Sequence, residues 1–137
     1  MAPEWVGQYI GLEFAERGRG PRVDCWGLIR KIFREQFDLD LPSYTEAYRT
    51  TTDEAEIGAL VRREAQTVWM PVPPDAARLG DVLVLRMRGQ PMHAGLCVEA
   101  PWFLHCAKGI GSVLERWDAA LWMHRVTGIY RHRELRP

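Results

Sequence analysis

The sequence predicts an α+β fold in which N-terminal helices pack on an antiparallel β-sheet. Apolar residues recur at helical spacing up to about residue 66, whereas from Val68 onward they fall into short strand-like runs. The turns between these runs are short, which is typical of antiparallel pairing. The chain has 137 residues, the length of one domain, so we expect residues 1–137 to form a single unit.

The composition is that of an ordinary globular protein. Apolar residues make up 47% of the chain, and 18 Lys and Arg balance 18 Asp and Glu. A neutral chain lacks the basic excess typical of nucleic-acid binding or of anionic membrane surfaces, so we expect neither partner. We also expect neither a membrane helix, because no apolar run approaches about 18 residues, nor a secretory signal at the N-terminus.

The first strong helix is predicted directly after a loop rich in Gly and Arg that covers residues 8–23. Asp24 occupies the N-cap position, and apolar residues recur at helical spacing from Cys25 until the helix ends near Asp38. Cys25 therefore falls in the first turn, on the apolar side of the helix. A second helix is predicted over residues 53–66, where a capping box precedes an apolar stripe.

Strands fill the second half of the chain. Alternating apolar runs separated by Gly- and Pro-containing turns predict five of them, and a helical turn at residues 118–124 precedes the last. The strands are predicted at residues 82–87, 93–98, 102–107, 112–116 and 126–131. The predicted helices then pack against the sheet that these strands form.

The second and third of these strands place two histidines side by side. If residues 99–101 form the loop between them, Val98 lies opposite Trp102. His93 then becomes a diagonal neighbour of His105 on the same face of the sheet, about 7–8 Å away at the backbone. Two imidazole rings can meet across that distance.

The chain contains three cysteines, Cys25, Cys97 and Cys106, and no C-x-x-C pair. An odd count predicts at least one free thiol rather than a disulfide framework. A thiol at a helix start near two imidazoles suits nucleophilic catalysis, with Cys25 as nucleophile, His93 as base and His105 orienting His93. The helix N-terminus and a neighbouring imidazolium are expected to lower the pKa of the thiol.

A zinc site is the alternative use of the same residue types. It would combine Cys25, His93 and His105 with a second cysteine. Strand parity points Cys106 to the face opposite His105, and Cys97 lies about 13 Å along the strand from His93. We therefore expect no metal ion and no other cofactor.

Four short motifs, in this order, resemble the NlpC-type family of cell-wall cysteine peptidases (the NlpC/P60 superfamily). They are Val23-Asp-Cys-Trp-Gly-Leu-Ile29, Gly80-Asp-Val82, His93-Ala-Gly-Leu-Cys97 and Phe103-Leu-His105. The resemblance implies a papain-like α+β fold and cleavage of the stem peptide of bacterial peptidoglycan. It also implies that Cys25 is the nucleophile, His93 the base and His105 the residue that orients the base.

The same resemblance implies roles for three further residues. Tyr9 is expected to line the oxyanion site, and Asp24 is expected to help recognise a substrate amine as well as to cap the helix. Trp26 stands where many members of the family have serine beside the substrate. The resemblance therefore does not extend to the details of stem-peptide specificity.

The N-terminal third looks most like the branch of the family found in phage tails and gene-transfer particles. The similarity lies in Trp5, Tyr9-Ile-Gly11, Cys25-Trp-Gly27 and Leu41-Pro42. It implies a protein made in the cytoplasm, built into a tail tip or baseplate and acting on the cell wall in the periplasm. Its partners would be peptidoglycan and tail proteins. A catalytically inactive tail-assembly or binding module and an N-acyl amidase remain open as alternatives.

Overall fold

The computed structural model describes residues 2–43, 68–87 and 90–135. A short 3-10 helix, Glu4–Tyr9, precedes the α-helix found within the described residues. The elements that follow are α1 (Cys25–Gln36), β1 (Trp69–Pro71), β2 (Val82–Met87), β3 (Gln90–Glu99), β4 (Trp102–Ala107), β5 (Gly111–Arg116) and β6 (Val126–His132). The α+β prediction is confirmed, while the helix predicted over residues 53–66 lies outside the described residues.

All pairs in the six-stranded sheet are antiparallel, and the strand order is β1-β6-β2-β3-β4-β5. Strands β2 to β5 form the predicted meander. The chain then returns through the turn at residues 117–125, where the N–H of Met123 donates to the carbonyl of Ala119, so that β6 pairs with β2. Strand β1, which was not predicted, pairs with the outer edge of β6. None of the helices described is long and apolar enough to cross a bilayer.

The two faces of the sheet carry different apolar clusters. Helix α1 packs on β3 and β4 on one face, where its fully buried Ile29 and Phe33 join Leu96 and Leu104. The other face carries Phe103 and other residues of the strands, covered by Trp122 from the 117–125 turn. Since neighbouring strand residues point to opposite faces, the parity of each strand residue decides which cluster it joins.

The β3–β4 hairpin keeps the predicted register away from its turn but differs from it at the turn. Leu96 pairs with Leu104, as the prediction requires, but Glu99 rather than Val98 pairs with Trp102. The connection is therefore two residues long instead of three. A β-bulge between the turn and the regular ladder absorbs the extra residue, so the expected faces of the histidines are retained.

Strands β3 and β4 stop pairing beyond the Leu96–Leu104 pair. Within the described residues their ladder ends there, although β4 still pairs with β5 as far as Ala107 and β3 still pairs with β2 through His93. At the first residue beyond this last pair, Gly95, the two backbones still lie close together. A Cβ on Gly95 would lie 3.0 Å from the carbonyl oxygen of Leu104, so glycine permits this approach.

A buried ion pair fixes the start of β2 to β6. Asp81 is fully buried, and its two carboxylate oxygens accept hydrogen bonds from Nε and Nη2 of Arg131 at 2.8 Å each. The backbone N–H of Arg78 donates to the same carboxylate at 2.9 Å. This bidentate geometry satisfies a charge that would otherwise be costly to bury.

Replacing Asp81 with alanine should destabilise the protein by about 3–5 kcal/mol, because the half-buried guanidinium of Arg131 would lose its carboxylate partner. Urea unfolding followed by circular dichroism measures the change. The exposed pair of Arg116 with Asp118 provides the matched control, and Asp118→Ala should leave the unfolding midpoint nearly unchanged. Equal effects of the two substitutions would contradict a structural role for the buried pair.

Candidate active site

The N-terminus of α1 is held by the loop that precedes it. Asp24 caps the helix as predicted, since its Oδ1 accepts a hydrogen bond from the N–H of Gly27 at 2.7 Å. The same oxygen accepts from Nη1 of Arg19 at 2.9 Å. A Cβ on Gly27 would collide with the carbonyl oxygen of Gly18. The helix cap, the Asp24–Arg19 ion pair and the close contact at Gly27 together dock the loop on the helix. They fix the position of Cys25.

The thiol of Cys25 lies where β3 and β4 no longer pair. It receives hydrogen bonds from the backbone of Ala94 and of Trp26, and the side chain is only 6% exposed. Ala94 directly follows His93 in β3. The helix N-terminus therefore brings the thiol to the backbone segment that carries the first of the two predicted histidines.

The two histidines form a direct hydrogen bond. Nε2 of His93 lies 2.9 Å from Nδ1 of His105, and the side chains are 2% and 0% exposed. Trp122 lies against both rings, with ring centroids 6.5 Å from His93 and 5.2 Å from His105. Among the described residues, Nδ1 of His93 has no hydrogen-bond partner although it is buried. The structure thus confirms the predicted pairing and leaves one ring nitrogen available.

The sequence analysis missed a third side chain in this hydrogen-bonded series, that of Glu115. Oε2 of Glu115 lies 2.5 Å from Nε2 of His105. In the β4–β5 ladder His105 pairs with Val113, so Glu115, two residues further along, emerges on the same face as the imidazole. The sequence could have predicted this contact. The turn after Ala107 sets the register of the β4–β5 hairpin, and strand parity then makes Glu115 a diagonal neighbour of His105 on the same face.

The ionisation of the site differs from the expectation. Burial, together with the charge of Asp24, raises the pKa of the Cys25 thiol to about 12. Burial and the neighbouring His105 ring lower the pKa of His93 to about 3. The predicted lowering of the thiol pKa is therefore wrong, because desolvation outweighs the hydrogen bonds that favour the thiolate. At neutral pH the resting pair is an uncharged thiol and an uncharged imidazole.

Tyr9 is placed away from the thiol. Its hydroxyl donates to Oε1 of Glu35 at 2.7 Å and accepts from Nε2 of Gln36 at 3.0 Å. These partners lie in the last turn of α1, about 15 Å along the helix axis from Cys25. The structure therefore does not bring the Tyr9 hydroxyl to the expected oxyanion site.

Asp24 and Trp26 flank the thiol in sequence but are engaged elsewhere. The Asp24 carboxylate has no exposed surface, and the cap and the Arg19 ion pair share its Oδ1. The indole Nε1 of Trp26 donates to the carbonyl of Pro42 at 2.8 Å, and its ring packs edge-on against Trp69. Asp24 thus acts here as a cap, and Trp26 packs beside the helix.

The residues weighed for zinc do not converge. The thiol of Cys106 donates to the carbonyl of Val23 at 3.4 Å on the helix side of the sheet, whereas the ring of His105 faces Trp122 on the other side. Within the part of the chain that the structure describes, no three His, Cys, Asp or Glu side chains are grouped to hold a metal ion.

A thiol at a helix N-terminus, bonded to the strand backbone that carries one member of a buried histidine pair, is typical of a small α+β domain of the papain-like class. The family comparison is more specific. The NlpC/P60 family model matches residues 11–131, and the chain belongs to this family.

Two curated relatives and one solved structure illustrate the match. The murein DD-endopeptidase MepS/murein LD-carboxypeptidase of Escherichia coli K12 is 27% identical over 75% of this chain, which spans about half (46%) of that protein. A probable endopeptidase of Haemophilus influenzae is 29% identical over 89% of the chain and 68% of its own length. The NlpC/p60 domain of the peptidoglycan hydrolase SagA superimposes with a TM-score of 0.61 at 17% identity, covering 91% of each chain.

Alkylation of Cys25 by iodoacetamide should be slow at pH 7 and should accelerate about tenfold per pH unit up to pH 10. The reason is that the reagent attacks the thiolate, whose fraction rises in this way below a pKa of about 12. Peptide mass spectrometry quantifies labelling at this cysteine. Free cysteine, whose rate levels off near its ordinary pKa of about 8.5, is the control. A rate independent of pH between 6 and 9 would indicate a preformed thiolate–imidazolium pair and contradict the neutral resting state.

Proposed function

We propose that the protein is a metal-independent cysteine hydrolase that cuts peptide bonds in bacterial peptidoglycan. The observation that carries this proposal is the buried Nδ1 of His93, which has no hydrogen-bond partner among the described residues and belongs to the residue next to Ala94, whose backbone contacts the Cys25 thiol. A general base needs a free nitrogen lone pair close to the proton that it removes. The names of the relatives, a murein endopeptidase and a peptidoglycan hydrolase, support the choice of substrate.

In the proposed reaction the thiol proton moves to His93 as the sulfur of Cys25 attacks the carbonyl carbon of the scissile peptide bond. The resting groups are neutral, so proton transfer accompanies attack instead of preceding it. The oxyanion that forms is stabilised by the backbone N–H of Cys25, because N–H groups in the first turn of a helix have no intrahelical partner. His93 then protonates the departing amine, and water hydrolyses the thioester with the same residue acting as base.

We place the bond in the stem peptide instead of the glycan strand. The site offers a nucleophile and a base suited to acyl transfer, whereas cleavage of a glycosidic bond normally uses a pair of carboxylates flanking the bond. An endopeptidase cuts between two amino acids of the stem. The amidase alternative would instead cut where the stem joins the sugar, so the products separate the two.

The wild-type protein should release peptides from purified peptidoglycan, and Cys25→Ser should lower this rate by at least about 10³-fold, because the nucleophile is lost. Mass spectrometry of the muropeptides should show new free amines inside the stems. EDTA should have no effect on the wild-type rate. Cys97→Ser is the matched control, since it changes a buried free thiol on the face of the sheet away from α1, four residues along β3 from His93, and should keep most of the activity.

Each other product pattern has a definite meaning. Release of intact stems would identify an amidase, and new reducing sugar ends without new amines would contradict a peptidase. Activity that survives Cys25→Ser would remove this cysteine from the mechanism. A folded wild-type protein that binds peptidoglycan without cutting it would favour the catalytically inactive module.

We further propose that the protein is carried by a phage-like tail and opens the wall locally during entry. The support is the resemblance of residues 5–42 to the tail-associated branch of the family. Purified particles from a producing strain should contain its peptides in a fixed ratio to those of a tail protein. Finding the protein free in lysates but absent from particles would contradict carriage on the tail.

A further inference from the structure

We infer that Glu115 is a positioning residue that fixes which nitrogen of each imidazole carries the proton, and so keeps Nδ1 of His93 free to act as the base. Three side chains in line carry this inference. The carboxylate of Glu115 contacts Nε2 of His105, and Nδ1 of His105 contacts Nε2 of His93. The catalytic consequence rests on the proposed function, but the protonation pattern itself does not.

The first step concerns Glu115 and His105. An ionised carboxylate can only accept hydrogen bonds, so the 2.5 Å contact requires that Nε2 of His105 carries the proton. A neutral imidazole has one donor and one acceptor nitrogen. With its proton on Nε2, His105 presents an unprotonated Nδ1 to its neighbour.

The second step passes this constraint to His93. Because Nδ1 of His105 is an acceptor, the 2.9 Å contact requires a donor, and Nε2 of His93 must carry the proton. Nδ1 of His93 is then the unprotonated nitrogen. This is the buried ring nitrogen without a partner in the described structure, so the hydrogen-bond chain and the vacant lone pair agree.

The opposite arrangement shows why the carboxylate matters. If the proton of His105 lay on Nδ1, it would be donated to Nε2 of His93, and His93 would carry its own proton on Nδ1. That nitrogen could then not accept the proton of the thiol. Burial lowers the pKa of both rings. Each neutral ring therefore carries a single proton, which can sit on either of its two nitrogens.

The protonation pattern can be read without substrate. Two-bond ¹H–¹⁵N correlation spectra of protein with ¹⁵N-labelled histidine distinguish protonated from unprotonated ring nitrogens. We expect both His93 and His105 to be protonated on Nε2 at pH 7, with assignments from His93→Gln and His105→Gln. A proton on Nδ1 of either ring in the wild-type protein would overturn the inference, whether or not the protein proves to be a hydrolase.

Kinetics tests the role of the carboxylate. Glu115→Gln keeps the shape but adds an amide N–H that can donate to Nε2 of His105, so the opposite tautomer should become populated. We expect kcat on peptidoglycan fragments to fall about 10- to 100-fold, with KM changed less than about twofold, because Glu115 acts through His105. Glu134→Gln, which changes an exposed carboxylate at the other end of the sheet, should leave kcat unchanged.

Two combined results separate this inference from the proposed function. A wild-type enzyme that is active, with Glu115→Gln unchanged in both kcat and tautomer, would overturn the positioning role. A wild-type protein without hydrolase activity but with the expected tautomers, which shift in Glu115→Gln, would support the positioning role while removing the proposed function.

Discussion

The site depends on the point at which β3 and β4 stop pairing. Beyond Leu96 and Leu104 the two strands are no longer paired, and the backbone of Ala94 bonds to the thiol of Cys25. If the ladder continued, that backbone group would be committed to β4 and the helix N-terminus would have no place to dock. Gly95, where the two backbones approach closely, is the first residue beyond the last pair. The end of β3–β4 pairing thus allows the N-terminus of α1, with Cys25, to contact the strand that carries His93.

A second constraint keeps the thiol at this point. The loop before α1 is anchored by the shared oxygen of Asp24, which binds both a helix N–H and the guanidinium of Arg19. Gly27 allows the carbonyl of Gly18 to lie against the helix. The segment predicted as a Gly- and Arg-rich loop is therefore docked against the helix. Glycine here supplies close backbone contact rather than mobility.

Much of this arrangement is readable from sequence because it follows from strand parity and helix capping. Asp24, Cys25, His93 and His105 lie where those rules place them, and the bulge at the hairpin turn did not alter their faces. Local rules could not give the ionisation of the thiol, since burial depends on the packing of the whole domain. They also could not place Tyr9, whose position depends on how the 3-10 helix crosses the distant end of α1.

The buried neutral thiol has a consequence for chemical durability. Oxidants such as hydrogen peroxide react with thiolates far faster than with thiols. The first product, a sulfenic acid, is oxidised further and irreversibly to a sulfinic acid if it is not reduced. The Cys25 side chain is 6% exposed and its pKa is about 12, so it presents very little thiolate to solvent. Such a cysteine can remain reduced outside a reducing compartment, because the burial that raises its pKa also protects it from oxidation.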